Sequence, residues 1–419
     1  MAETNDILEV AKMTINASIK CNTVRGYIGW HSCDTICMDM HDVLDMCEES
    51  FEQGRYTDVL ETATYVLVSG VKLASYADSS SGMLTDVIMC AFELIELCTQ
   101  TIAELDMEVR TKALALIIKE SKKKAFDGWT SWRYELLDKA ICLCDDKMSM
   151  RLEKILDIFL EDNEHEYMPD YKQSEDILLR YKLHRYIKGA ASVKDELYAN
   201  LHIKELRMIA VKDALDDKNY SEAERLCLEQ IKKDDWSYYR KAPDDWNNIL
   251  FSVYEEAGDV ERQIEQAKRI LLLGNEEFWD VLKRLCLRKN IWKEQKAILL
   301  EELKNSKYMV CYRSVLIEEN EKELLLEAIT DKPFDLFYYG QFLVKAYPDE
   351  IFALCKDYIR EKCAEATDRR LYKKVCKDLL QLIKWKGSMI AKELIEEFRE
   401  KYPRKTALLD ELQKVEKKL

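Results

Sequence analysis

Residues 51–63 read FEQGRYTDVLETA, and their pattern decides the fold. It has the form of a helix end, a tight turn at Gly54 and a new amphipathic helix that carries Tyr56, Val59 and Ala63. Residues 216–227, DDKNYSEAERLC, repeat it with Tyr220 in the place of Tyr56 and Cys227 in the place of Ala63. Residues 256–267, EAGDVERQIEQA, are a third copy built around Gly258. Glycine supplies the positive φ that ends one helix, an aromatic or aliphatic residue wedges into the turn, and a small residue lets the paired helix approach closely. These are the steric needs of two antiparallel helices, so the expected fold is all-α, an α-solenoid of antiparallel helix hairpins.

The same periodicity fills the rest of the chain. Met148, Leu152, Ile155, Leu156 and Phe159 form one apolar stripe at helical spacing, with Arg151, Lys154 and Asp157 between them. Tyr372, Val375, Cys376, Leu379, Leu382 and Ile383 form another, and Leu394, Ile395, Phe398 and Tyr402 a third that Pro403 ends. With 11 Gly and 5 Pro in 419 residues, the chain lacks the turn punctuation that a sheet protein of this length needs. Roughly twenty helices of average length are expected. The acidic stretch 161–170, which holds the first proline, Pro169, interrupts the stripes and predicts two lobes, 1–162 and 171–419. A second interruption, from Lys233 to Trp246, reads as a long loop between helices.

Hydrophobic residues at 47% and charged residues at 34% suffice for a buried core with one wet face per helix, which predicts a chain folded throughout. The formal net charge of −15 opposes attraction to polyanions, so neither direct nucleic-acid binding nor an anionic membrane surface is expected. No signal peptide or membrane-spanning run is visible, and a cytoplasmic protein is the expectation. The 14 cysteines are scattered through amphipathic segments and read as reduced, mostly buried small hydrophobes.

His31, Cys33, Cys37 and His41 resemble a metal cluster, but Cys33 and His41 stand eight residues apart, about 12 Å along one helix, too far for a single zinc. Cys142 and Cys144 lie in a helical pattern that points them apart. His165 and His184 read as solvated, and Lys122–Lys124 as a solvated helix end. The acid pairs 145–146, 216–217, 234–235 and 244–245 fall at helix ends, where carboxylates cap free N–H groups. Phosphate-loop, H-E-x-x-H and G-x-S-x-G motifs are missing, so no catalytic residue, cofactor or metal ligand is assigned and a non-enzymatic role is expected.

What remains is an aromatic and cationic cluster, Trp236, Tyr238, Tyr239, Arg240 and Trp246 with Lys241, of the kind that anchors a peptide or stacks on bases. Phe334, Phe337 and Tyr338 form a second cluster that serves equally well as core.

The segments GYIGW (26–30), GRYTDVLETA (54–63), DSSSG (78–82) and WRYELL (132–137) resemble the helical region that follows the finger in bacterial SWIM zinc-finger proteins. So do YRSVL (312–316), AYPD (346–349), ATDRRLY (366–372), KYPR (401–404) and ALLDEL (407–412), so that the likeness spans nearly the whole chain. The family's zinc motif, C-x-C-x(n)-C-x-H, is absent, because no cysteine is followed two residues later by histidine. The resemblance implies a tetratricopeptide-like scaffold and an accessory role. A protein–protein interaction scaffold that presents a helical groove to a peptide or protein is therefore the leading expectation, and a nucleic-acid-associated accessory factor the second.

Overall fold

The apolar stripes become helices wherever the chain can be described. The computed structural model describes residues 6–161, 169–235, 244–331 and 335–419, and among these it holds 22 α-helices, three short 3₁₀ turns and no strand. Among the described residues the β-type pairings are two isolated bridges, Val24 with Tyr27 and Ile28 with Ala77. Among the described residues no helix is long and apolar enough to cross a membrane.

Two compact units divide the chain, Met1–Asp216 and Asp217–Leu419. The first contains α1 (Ile7–Asn22), α2 (Trp30–Glu52), α3 (Tyr56–Leu73), α4 (Met83–Ala103) and α5 (Met107–Ser121). It continues with α6 (Thr130–Asp138), α7 (Asp146–Glu161), α8 (Pro169–Lys188), α9 (Lys194–Ala199) and α10 (Lys204–Asp216). The boundary thus differs from the one expected at residues 162–170. Residues 162–168 lie outside the described residues, but the helices on either side of them belong together. Arg180 of α8 donates to Asp157 of α7 at 2.8 Å, and Leu179 and Leu183 join the core that holds Leu152, Leu156 and Phe159. A polar insertion does not divide a domain when the helices that flank it share apolar surface.

The second unit contains α11 (Tyr220–Asp235), α12 (Asp244–Glu256), α13 (Val260–Leu272), α14 (Phe278–Arg288), α15 (Trp292–Lys304) and α16 (Met309–Glu318). It ends with α17 (Lys322–Asp331), α18 (Leu336–Leu343), α19 (Pro348–Glu365), α20 (Arg369–Lys384), α21 (Ser388–Lys401) and α22 (Thr406–Glu416). Each of these helices packs on the next in sequence, from α11 to α22. The stripe Tyr372, Val375, Cys376, Leu379 and Leu382 is buried as its spacing predicts, and so is Leu394, Ile395 and Phe398.

One turn recurs in both units. Gly54, Lys218, Gly258, Asn290, Asn320 and Lys386 all have φ between 56° and 80°, and each stands two residues before the start of a helix. At Gly258 the backbone N–H bonds to Glu255 O at 3.0 Å and that of Asp259 to Tyr254 O at 3.0 Å. The same pair of bonds closes the turns at Gly54, Asn290, Asn320 and Lys386, which satisfies the last carbonyls of one helix as the next begins. Ala63, Cys227 and Ala267, the small residues of the three sequence copies, are fully buried.

A carboxylate knots the second unit at the end of α16. Glu319 accepts from Trp279 Nε1 at 3.0 Å, Lys283 Nζ at 2.6 Å and Lys296 Nζ at 2.8 Å, which ties α14 and α15 to α16. Burial opposes its charge, but the hydrogen bonds from Lys283, Lys296 and Trp279 outweigh burial and hold the carboxyl down at about 2.

Two measurements test these joints. A Cβ at Gly258 meets no atom within 4 Å, so the cost of Gly258→Val comes from its φ of 68° alone and should be about 1–2 kcal/mol in denaturant unfolding. An unchanged midpoint would remove Gly258 from the joint. Because the folded pKa of Glu319 lies below the unfolded value, its contribution is complete above the ordinary carboxyl range and is withdrawn as pH falls from there towards 2. Glu319→Gln should lower the stability of the unit near neutral pH by on the order of 2–3 kcal/mol and flatten its acid dependence over that window. Parallel acid profiles for variant and wild type would contradict the assignment.

Candidate functional site

The first unit carries a groove between α2 and α4. On α2, His41, Leu44, Asp45, Glu48, Phe51 and Glu52 recur at helical spacing along one face, and on α4, Cys90, Glu93, Leu94 and Leu97 do the same. The two stripes enclose a cavity of about 350 Å³. Leu44 and Leu94 are buried in its floor, while Leu97 remains 46% exposed on its lip. Asp45, Glu48, Glu52 and Glu93 stand exposed along the walls.

Charge sets this groove apart. Over their full lengths α2 and α4 hold ten carboxylates and no Lys or Arg. Among the described residues only two of the ten approach a basic side chain, Asp86 beside His41 at 3.6 Å and Glu96 beside Lys139 at 2.5 Å. The Cys90 thiol reports the resulting field. Burial raises its pKa first, and the neighbouring carboxylates of Asp86, Glu93 and Glu48 raise it further.

A second cavity, of about 570 Å³, is lined from α4, α6 and α8 by Glu96, Asp138, Lys139, Lys182 and Arg185 among others. Its cations are already matched. Lys139 binds Glu96 at 2.5 Å, Lys182 binds Asp138 at 2.9 Å, and Arg185 binds Asp213 through both terminal nitrogens at 2.5 and 2.7 Å. This is an internal ion-pair lattice rather than a vacant charged site.

No protein-family model matches this chain, and no curated protein matches it. The site therefore rests on geometry alone.

The residues singled out in the sequence are distributed as follows. Trp236, Tyr238, Tyr239, Arg240 and Lys241 lie outside the described residues, as do His165 and Phe334. Trp246 lies in α12 and is 3% exposed, so its ring packs inside the fold instead of facing a partner. Phe337 packs against Trp385 and Tyr358, which makes it core, whereas Tyr338 is exposed. Cys33 and Cys37 are buried in α2, His31 is exposed and stacks on Trp30, and His41 faces Asp86. Among the described residues no three His, Cys, Asp or Glu converge closely enough to hold a metal.

His184 departs from its expected solvated state. Its Nδ1 lies 2.9 Å from Glu196 and its Nε2 3.0 Å from Glu153, which links α7, α8 and α9. Cys142 sits on a 3₁₀ turn rather than in an α-helix. Of the acid pairs, Asp145 caps α7 by accepting from Met148 N at 2.8 Å, whereas Asn219 rather than Asp216 or Asp217 caps α11. The side chains at 234–235 and 244–245 lie outside the described residues. Lys123 pairs with the buried Glu120, and Lys122 and Lys124 are exposed.

The groove escaped a reading organised by motifs because it contains none. Its signal was a composition, two helices with carboxylates and no cations.

Crowding of like charges predicts a measurable cost. Asp45, Glu48 and Glu52 follow one another at i, i+3 and i+7 along α2, and such neighbours repel by about 0.2–0.5 kcal/mol per pair. Glu48→Lys should consequently raise the thermal midpoint slightly at low ionic strength, with the gain fading in salt. A lower midpoint would mean that Glu48 is held by contacts that stabilise the fold.

Proposed function

We propose that this protein is a non-enzymatic interaction scaffold whose α2–α4 groove receives a segment of a partner protein. The observation that carries this reading is the combination of an apolar floor with walls of unmatched charge in a helical framework. Stable folds cover apolar clefts and pair their charges, and a surface that does neither marks a binding site. The sequential packing of helices in the second unit and its recurrent joints support the further reading of a solenoid of helix hairpins, tetratricopeptide-like in architecture. In this proposal the chain is a finger-less relative of the SWIM zinc-finger proteins and acts as an adaptor in the cytoplasm. The acidic groove gives no support to the accessory role on nucleic acid, since phosphates and carboxylates repel.

Affinity capture from the native host tests this reading if the tagged wild type is compared with Leu97→Arg. Leu97 is exposed, so the substitution should leave the melting temperature within about 1 °C while a specific partner is lost from the eluate. Recovery of the same proteins with both baits would place binding elsewhere. Stoichiometric nucleic acid in both eluates would favour the accessory factor.

A further inference from the structure

We infer that the occupant of the α2–α4 groove is a cationic amphipathic helix of a partner protein, seated with its apolar stripe on Leu44, Leu94 and Leu97 and its Lys or Arg side chains against Asp45, Glu48 and Glu93. This rests on the groove being a protein-binding site, and it adds the shape and charge of what binds.

Shape comes first. The α2 stripe from His41 to Glu52 spans twelve residues, about 17 Å or three helical turns. A trough of that length between two helices matches the ridge of a third, whose apolar residues recur at i, i+3, i+4 and i+7. Two exposed methionines stand on the same helices, close in sequence to the lining residues. Met38 lies three residues before His41 and is 60% exposed, and Met89 lies four residues before Glu93 and is 40% exposed. Methionine is the side chain that best adapts to a ridge of varied shape.

Charge then selects the partner. The walls offer carboxylates without counterions, so a helix flanked by Lys or Arg gains attraction where an acidic helix would meet repulsion. A second copy of this chain is a poor occupant for the same reason, because its net charge is −15. Divalent cations do not answer to the site either, since among the described residues its carboxylates fail to converge as ligands. Several acids elsewhere in this unit are matched, as Asp138 by Lys182, Asp127 by Arg133 and Asp213 by Arg185. The groove walls contrast with these pairs, and their carboxylates repel along α2.

The test uses the full chain and three fluorescein-labelled peptides of about five helical turns. One has leucines at i, i+3, i+4 and i+7 with lysines on the flanks, one has the same composition with the leucines scrambled, and one keeps the leucines but replaces every lysine by glutamate. Anisotropy should show the first peptide binding at least tenfold more tightly than the others, with affinity falling as salt rises. The double variant Glu48→Lys, Glu93→Lys should lose at least tenfold while keeping its helical circular dichroism. Cys90, in the groove wall, should become protected from maleimide alkylation by the first peptide, while the exposed Cys21 should not. Equal binding of the scrambled peptide without protection of Cys90 would overturn the inference, since charge alone would be acting. Tight binding of the glutamate peptide with Cys90 protected would overturn the charge assignment and leave the groove standing. Failure of all three peptides to bind or to protect Cys90 would overturn both.

Discussion

The last carbonyls of an α-helix must find donors, and in this chain the joint that supplies them also dictates where the next helix goes. A single residue at positive φ lets its own N–H and that of the next residue reach back into the finished helix, and the chain reverses at once. That geometry matters more than the residue that adopts it. Gly54 and Gly258 enter it freely, Asn290 and Asn320 at small cost, and Lys218 and Lys386 against a penalty of about 1–2 kcal/mol. The second unit accepts that penalty because the tight reversal lets neighbours such as α20 and α21 bury their stripes together.

Legibility in the sequence followed the same division. The turns at Gly54 and Gly258 could be read because glycine announces them, and the stripe from Met148 to Phe159 because its period is that of a helix. The turns at Asn290 and Asn320 could not, since nothing but conformation distinguishes those residues from solvated polar ones. Lys386 is the most instructive. The pair Lys386-Gly387 suggests glycine as the left-handed residue, yet Lys386 has φ 70° and Gly387 has φ −90°. Gly387 is required for another reason, because a Cβ there would stand 3.0 Å from the ring of Phe352 and 3.1 Å from the Leu382 carbonyl. The acidic break near residue 165 misled because charge and proline mark a polar insertion whether or not the helices beside it share a core. The groove was hidden because its residues are ordinary helix formers, and burial and apposition had to be known before their charges could be seen to face one another.

The same side chains stand in two settings in this molecule, paired between helices and unpaired along a groove. In the second unit, carboxylates and cations stitch one helix to another. Glu319 joins Lys283 and Lys296, Arg360 holds Glu397 at 2.8 Å, and Arg399 meets Glu416 at 2.7 Å. The exposed pairs among them contribute little individually, but each fixes the register of two surfaces that apolar contact alone would let slide. Along the groove, by contrast, Asp45, Glu48, Glu52 and Glu93 have no such partner among the described residues, although a single Lys at position 48 would stand within a turn of both Asp45 and Glu52. In the proposed reading the field of these carboxylates is put to use, because a field of that sign over an apolar trough attracts a positively charged apolar ridge.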